Sequence, residues 1–315
     1  MSPAKPELLV VGPYPDWDLA ALEKTYTLRK LWEAEDQKSF LAQHAPNIRA
    51  VATRGDLGAS SALIAALLKL EVIACNGVGL DAIDLNAAKA RGIAVTNTPD
   101  VLTDDVADLA IALCIAIARQ IPAGETHVRS GKWKSSTLPL ATRFSGKHMG
   151  IVGLGRIGLA IAKRAEAFDM KISYHNRNAR SDVPYGYFET VEALAEESDF
   201  LVAALAGGAG AMNVVNAAAF KALGPEGFFI NVSRGTVADE AALLSALEAR
   251  IIKGAALDVF LNEPKINERF FTLENVVLQP HVGSATLETR QAMGQLVRDN
   301  LAAHFAGQPL LTPVL

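Results

Sequence analysis

Two cysteines in 315 residues, Cys75 and Cys114, both in apolar surroundings, are too few for a disulfide framework and fit a reducing compartment such as the cytoplasm. Excess charge is also missing. A net charge of −4, from 30 basic and 34 acidic side chains, provides no basic face for nucleic acid or a membrane surface. The most apolar run, "LAIALCIAIA" from Leu109 to Ala118, falls short of the roughly 20 residues that span a bilayer and reads as a buried helix. The start, "MSPAKPELLVVGPYP", has no long apolar core, so no signal peptide is expected. There are no internal repeats or low-complexity tracts, and no metal site is expected. What remains is an ordinary globular balance, 50% hydrophobic and 20% charged. The length suits about two domains, enough to bury a sizeable core without staples.

Short apolar runs alternate with helical patterns, which predicts parallel sheets with crossover helices. Strands are expected at "ELLVVG", "IRAVAT", "EVIACNG" and "IAVTNT", with helices such as "SSALIAALLKL" and "DAIDLNAAKARG" between them. "TDDVADLAIALCIAIARQI" reads as one long helix leading into a second domain, capped by Thr103 or Asp104. From Lys147 the alternation resumes with "HMGIVG", "KISYHN", "FLVAAL", "GFFINVS", "KGAALDVF" and "NVVLQP". A last helix, "LETRQAMGQLVRDNLAAHFAG", packs back on the first domain in the simplest solution. The second domain is then an insertion, with a cleft between the lobes. The expected fold is α/β, with two doubly wound parallel-sheet domains: residues 1–100 with 287–315, and residues 101–286.

"MGIVGLGRIGLAIAKRAEAF" carries Gly153, Gly155 and Gly158 in a G-x-G-x-x-G spacing after an apolar run and before an amphipathic one. The first glycine permits the turn, the second lets the backbone approach a pyrophosphate, and the third lets helix pack on strand. The helix start offers free N–H groups and partial positive charge to phosphates. Leu154, Arg156 and Ile157 complete the turn. A dinucleotide fingerprint of the NAD type has an acid about twenty residues on, at the ribose hydroxyls. From Lys171 to Arg180, "KISYHNRNAR" has none. His175 stands where that acid belongs, followed by Asn176 and Arg177, with Arg180 beyond. Arginine pairs with a 2'-phosphate where an acid would repel it, so the expected cofactor is NADPH.

Four more segments join the glycine turn: "VTNTPDVLTDDVADLA", "NVSRGTVADEAAL", "GAALDVFLNEP" and "PHVGSAT". In this order, over nearly the whole chain, they resemble the D-isomer-specific 2-hydroxyacid dehydrogenase family. Within it the sequence is most similar to NADP-dependent glyoxylate/hydroxypyruvate and hydroxyphenylpyruvate reductases, as in "FSGK", "RAEAFD" and the ending "LLTPVL". The resemblance implies a Rossmann cofactor domain inserted in a flavodoxin-like substrate domain. It implies His281 as the acid that protonates the substrate carbonyl oxygen, Glu263 as its hydrogen-bond partner, and Arg234 as the grip on that oxygen and the carboxylate. It also implies that the Val78 and Gly79 amides receive the carboxylate, that Asp258 binds the nicotinamide carboxamide, and that Val232 and Gly283 line the cofactor. Relatives of this kind form homodimers through the cofactor domain, which points to Ser130–Lys147, with Trp133, Leu138 and Leu140, as the interface.

The chemistry calls for these residue types in its own right. Reducing a 2-keto acid builds negative charge on the carbonyl oxygen, so a proton must arrive with the hydride, and a histidine suits that task near neutral pH. A nearby carboxylate keeps the histidine protonated, and a guanidinium holds two oxygens of a carboxylate. His127, His148 and His304 are read as structural or exposed. The chain departs from the family pattern at Ala206, where a proline is usual, at Ala211, where a hydroxyl is common, and at Leu68. The expected function is NADPH-dependent reduction of glyoxylate and hydroxypyruvate. Alternatives are a reductase of bulkier keto acids, such as hydroxyphenylpyruvate or a keto sugar acid, and a cofactor-sensing binding protein.

Overall fold

Strands buried on both faces read as near-continuous apolar runs, and "IRAVATR", "VIACN", "FLVA" and "FFIN" are of this kind. The computed structural model describes residues 5–315, apart from the side chain of Ala209. The first residues of the N-terminal stretch read for a signal peptide lie outside the described residues. The chain divides into two units. One comprises residues 5–102 with Ala285–Leu315, the other Thr103–Ser284.

The first unit runs β1 (Glu7–Val10), α1 (Asp16–Thr25), β2 (Thr27–Lys30), α2 (Gln37–His44), β3 (Ile48–Arg54), α3 (Ser61–Ala66), β4 (Val72–Asn76), α4 (Leu85–Ala90) and β5 (Ala94–Thr96). After the second unit it resumes with α11 (Leu287–Phe305). Its strands are all parallel, in the order β2-β1-β3-β4-β5, the doubly wound order of flavodoxin-like sheets. Period-two alternation divides its core. Leu9, Val51, Ile73 and Val95 meet Ile64 of α3 and Ala88 of α4. Leu8, Val10, Ala52 and Ala74 meet Leu22 of α1 and Val297 and Leu301 of α11.

The second unit begins with α5 (Thr103–Ala118) and α6 (Ile121–Arg129). It continues with β6 (His148–Val152), α7 (Arg156–Glu166), β7 (Lys171–His175), β8 (Gly186–Tyr187), α8 (Val191–Glu196), β9 (Phe200–Ala203) and α9 (Ala217–Leu223). It ends with β10 (Phe228–Asn231), α10 (Glu240–Glu248), β11 (Gly254–Leu257) and β12 (Val276–Leu278). The order β12-β11-β10-β9-β6-β7-β8 is again all parallel. It reverses between β6 and β9, the crevice where such sheets bind ligands. Leu194, Phe220 and Leu244 of α8, α9 and α10 pack on Leu201, Phe229 and Ala255, and α5 packs on α7.

The fold class is the expected one, with three local differences. β2 and β8 were not expected; each is short, at a sheet edge, and only partly buried or exposed, so neither has the long apolar run that marks a central strand. The segment expected as one long helix is two, bent by 60° after Ala118. Gln120 takes the left-handed conformation (φ 53°), and Pro122, in the first turn of α6, has no N–H to continue the ladder.

Candidate active site

The glycine turn sits between β6 and α7, at the point where the strand order reverses. Gly153 has φ +98°, and a Cβ there would stand 2.5 Å from the Leu205 Cα; on Gly158 it would stand 2.2 Å from the Gly153 oxygen. Both positions therefore require glycine to pack. Gly155 differs: a Cβ there would meet nothing within 4 Å, and no side chain caps the start of α7. The open face over Gly155, at the positive end of a helix, fits a pyrophosphate, so the residues present suit a dinucleotide.

Downstream, Asn176 takes a bracing position: its Oδ1 accepts the Leu154 N–H at 2.7 Å. The His175 ring donates from Nδ1 to the Phe188 carbonyl at 3.0 Å. Arg180 also holds the turn, donating to the Leu154 oxygen at 2.8 Å, while its fork grips Asp182 at 3.0 and 2.5 Å. Arg177 is exposed, and among the described residues it has no hydrogen bond or ion pair.

Arg234, Glu263 and His281 follow the C-terminal ends of three neighbouring strands, β10, β11 and β12. The Arg234 loop is fastened by Asn231, 1% exposed, whose Nδ2 donates to the Arg234 oxygen at 2.9 Å and whose Oδ1 accepts the Ser233 N–H at 3.0 Å. A Cβ on Gly235 would stand 2.0 Å from the Phe260 carbonyl carbon, so this glycine allows the Arg234 loop to lie against the one leading to Glu263. Glu263 Oε1 accepts the Phe260 N–H at 2.8 Å, and Oε2 accepts from His281 Nδ1 at 2.7 Å. A carboxylate only accepts, so Nδ1 carries the hydrogen and Nε2 is left for other chemistry. Burial raises the Glu263 pKa, but the His281 and Phe260 hydrogen bonds and the charges of His281 and Arg234 outweigh it, leaving the carboxyl below its ordinary value. Both loops are held in left-handed backbone, Asn262 at φ 58° and His281 at φ 54°. For side chains of this kind that conformation costs energy and is often found at functional sites.

Asp258, 2% exposed, fixes the His281 loop: Oδ1 accepts the Val282 N–H at 2.7 Å and Oδ2 the Gly283 N–H at 2.9 Å. Burial raises its pKa, and these two amides work against that rise. Sequence reasoning missed the bracing by Asn231 and Asp258; the signal available was a polar residue at the buried end of an apolar strand. Val232 is buried beside Asn231. Among the other histidines, His148 is buried and bonded to Ser173 Oγ at 2.9 Å, and His304 lies 3.1 Å from Glu71 Oε2. The described residues contain no His, Cys, Asp and Glu cluster able to hold a metal.

In the other unit, β4 runs into the Gly77–Gly79 loop. The Gly77 N–H donates to Thr98 Oγ1 at 3.0 Å, and the Val78 carbonyl accepts from Asn97 at 3.1 Å. The Val78 and Gly79 N–H groups have no acceptor among the described residues. Two adjacent amides are thus left available to an anionic ligand.

Residues 111–283 match the model of the D-isomer specific 2-hydroxyacid dehydrogenase NAD binding domain. The chain is 50% identical over 294 residues to hydroxyphenylpyruvate reductase of Plectranthus scutellarioides, covering 93% of this chain and 94% of that one. It is 46% identical over 312 residues to 2-ketogluconate reductase of Gluconobacter oxydans, covering 99% of each. A solved NADPH-dependent glyoxylate/hydroxypyruvate reductase of Sinorhizobium meliloti, in complex with NADP and malonate, superposes with a TM-score of 0.91 at 41% identity, covering 99% of this chain and 97% of that one. The chain belongs to the D-isomer specific 2-hydroxyacid dehydrogenase family.

Proposed function

We propose that this oxidoreductase reduces small 2-keto acids, glyoxylate and hydroxypyruvate foremost, with NADPH. The observation that carries the reading is the 2.7 Å bond between His281 and Glu263, with the Arg234 charge acting on the same carboxylate. Glu263 stays ionised and favours the protonated ring. His281 donates a proton from Nε2 to the carbonyl oxygen as negative charge develops there. Arg234 holds that oxygen and the neighbouring carboxylate, and the Val78 and Gly79 amides are further proposed contacts for a carboxylate. Bound NADPH supplies the hydride. The glycine turn, Gly153–Gly158, would hold its pyrophosphate, with Arg177 at the 2'-phosphate and Val232, Asp258 and Gly283 near the nicotinamide. On this reading Thr103–Ser284 is the cofactor domain and the other unit the substrate domain.

The relatives named above support the choice of keto acids and of NADP, and they also include reductases of bulkier acids. Measuring glyoxylate, hydroxypyruvate, hydroxyphenylpyruvate and 2-ketogluconate with NADPH and NADH in parallel decides the matter. Turnover of a keto acid with NADPH well above NADH is expected. Tight cofactor binding with no turnover of any keto acid would overturn the enzymatic reading. The cysteines are free and buried, which supports a reducing compartment, the cytoplasm. No single helix among the described residues is long and apolar enough to cross a membrane. The assembly we propose is a homodimer, through the exposed apolar side chains of Trp133, Leu138 and Leu140.

A further inference from the structure

The unit built on the five-stranded sheet holds two arginines that the proposed reaction leaves unused. Arg54 ends β3, paired in register with Asn76 at the end of β4. The loops after these strands touch: a Cβ on Gly77 would stand 3.6 Å from the Gly55 amide nitrogen. Arg290 lies in the first turn of α11. Its neighbour Thr289 donates to the Val101 carbonyl at 3.3 Å, and Gly77 and Thr98 are bonded to each other in both directions. The start of α11, the segment after β5 and the Gly77–Gly79 loop are thus tied together.

Arg290 is poorly placed for stability. It is partly buried, and among the described residues its guanidinium makes no hydrogen bond or ion pair. It sits at the end of α11 where the helix dipole disfavours a cation. Burial and the charge of Arg54 hold its pKa below the ordinary arginine value, with Asp56 acting the other way. Asp56 is already forked onto Arg54, at 3.0 and 2.6 Å. A desolvated cation without a partner is costly, and an arriving anion would remove that cost.

From Asn76 to Gly79 is at most roughly 11 Å of chain, and neighbouring strands lie about 4.8 Å apart. A long arginine side chain closes much of that distance. We infer that Arg290, together with Arg54, receives a second anionic group of the substrate, a carboxylate or phosphate distal to the one at the Val78 and Gly79 amides, and so favours, among keto acids longer than glyoxylate and hydroxypyruvate, those that carry one. The inference rests on the keto-acid reductase reading above and extends its substrate class.

Two five-carbon keto acids test it, 2-oxoglutarate and 2-oxopentanoate, which differ by the distal carboxylate. In the parent, kcat/KM should favour 2-oxoglutarate. In Arg290→Met the ratio of the two kcat/KM values should fall at least tenfold, and Arg290→Lys should restore part of it. A merely structural arginine would lower both substrates together and leave the ratio unchanged, which would overturn the proposal. So would a parent that reduces glyoxylate but neither five-carbon acid, or that prefers 2-oxopentanoate. A parent that prefers 2-ketogluconate to 2-oxoglutarate would assign the arginines to hydroxyl groups and overturn the anionic reading. Phosphorylated and dicarboxylic keto acids compared side by side separate the two sources of charge. If no keto acid is turned over, the reductase reading fails, and calorimetry with succinate still decides this one. Tenfold weaker succinate binding in Arg290→Met supports the anion site, and equal binding overturns it.

Discussion

At the residue scale, the site depends on which side chains are already engaged within the protein. Asn176 and Arg180 make hydrogen bonds with Leu154, whereas Arg177, exposed between them in the chain, has no hydrogen bond or ion pair among the described residues. A charge-assisted hydrogen bond is worth roughly 1.5–3 kcal/mol, and about 1.4 kcal/mol is tenfold in affinity. Arg177→Ala should therefore reduce the preference for NADPH over NADH by roughly tenfold or more, less the loss to solvent screening. The measurement is kcat/KM for both cofactors, and an unchanged preference would remove Arg177 from the role. The His281–Glu263 pair gives a pH signature. On the proposed mechanism the ring gives up a proton during reduction, so kcat/KM should fall toward high pH. The depressed Glu263 pKa keeps its negative charge in place throughout that range. Glu263→Gln removes the charge, so the falling limb of kcat/KM should move to lower pH. His281→Gln should lose about 10²–10⁴-fold in kcat while retaining cofactor affinity. Profiles of parent and Glu263→Gln that overlay would refute the pairing.

At the scale of elements, α11 and the tail show how a polar residue organises packing. Asn300 is fully buried. Its Nδ2 donates to the Leu296 carbonyl at 2.8 Å and to Thr312 Oγ1 at 2.9 Å, while its Oδ1 accepts the Leu311 and Thr312 amides at 3.0 and 3.1 Å. Asn300→Ala strands those amides and should cost about 1–3 kcal/mol, read as a lower denaturation midpoint; an unchanged midpoint would show that water replaces the side chain. The sequence pattern shows α11 as a helix but gives no sign of this role, because one asparagine on an amphipathic helix looks like a solvent-facing residue. The same contrast runs through the molecule. Central strands and the glycine turn were legible because their signals are local: continuous apolar runs and fixed spacing. The motifs of Arg234, Glu263 and His281 were legible through the resemblance. The bend at Gln120, the edge strands β2 and β8, and the loop-bracing of Asn231 and Asp258 depend on partners distant in sequence or on a backbone conformation that no side-chain pattern announces. Arg290 was hidden for the same reason, since its neighbour Arg54 lies more than two hundred positions away.

At the scale of the whole molecule, the surface raises the question of assembly. Soluble monomers scatter their exposed apolar residues singly. Here Ile121 and Val128 on α6, and Trp133, Leu138 and Leu140 in the stretch after it, are all exposed, Leu140 completely and Trp133 at 67%. They fall within twenty consecutive residues, and a Cβ on Gly124 would lie 3.7 Å from Leu138 Cδ1, so the stretch folds back on α6. Aromatic and aliphatic anchors ringed by polar residues are how an interface core is built. The polar neighbours are present: Lys132, Lys134, Ser135 and Ser136. A pair of copies related by a two-fold axis would present this patch to itself, so a charge placed in it would appear twice at one interface and be desolvated there. Leu140→Asp should therefore weaken the homodimer strongly while leaving each copy folded, since a fully exposed side chain contributes nothing to the core of its own unit. Sedimentation equilibrium at micromolar concentration should give twice the 33.4 kDa chain mass for the parent and a shift toward the single mass for Leu140→Asp. Circular dichroism unchanged between the two would confirm intact folding. A parent that sediments as a monomer, or a variant that remains fully dimeric, would move the interface elsewhere or remove it.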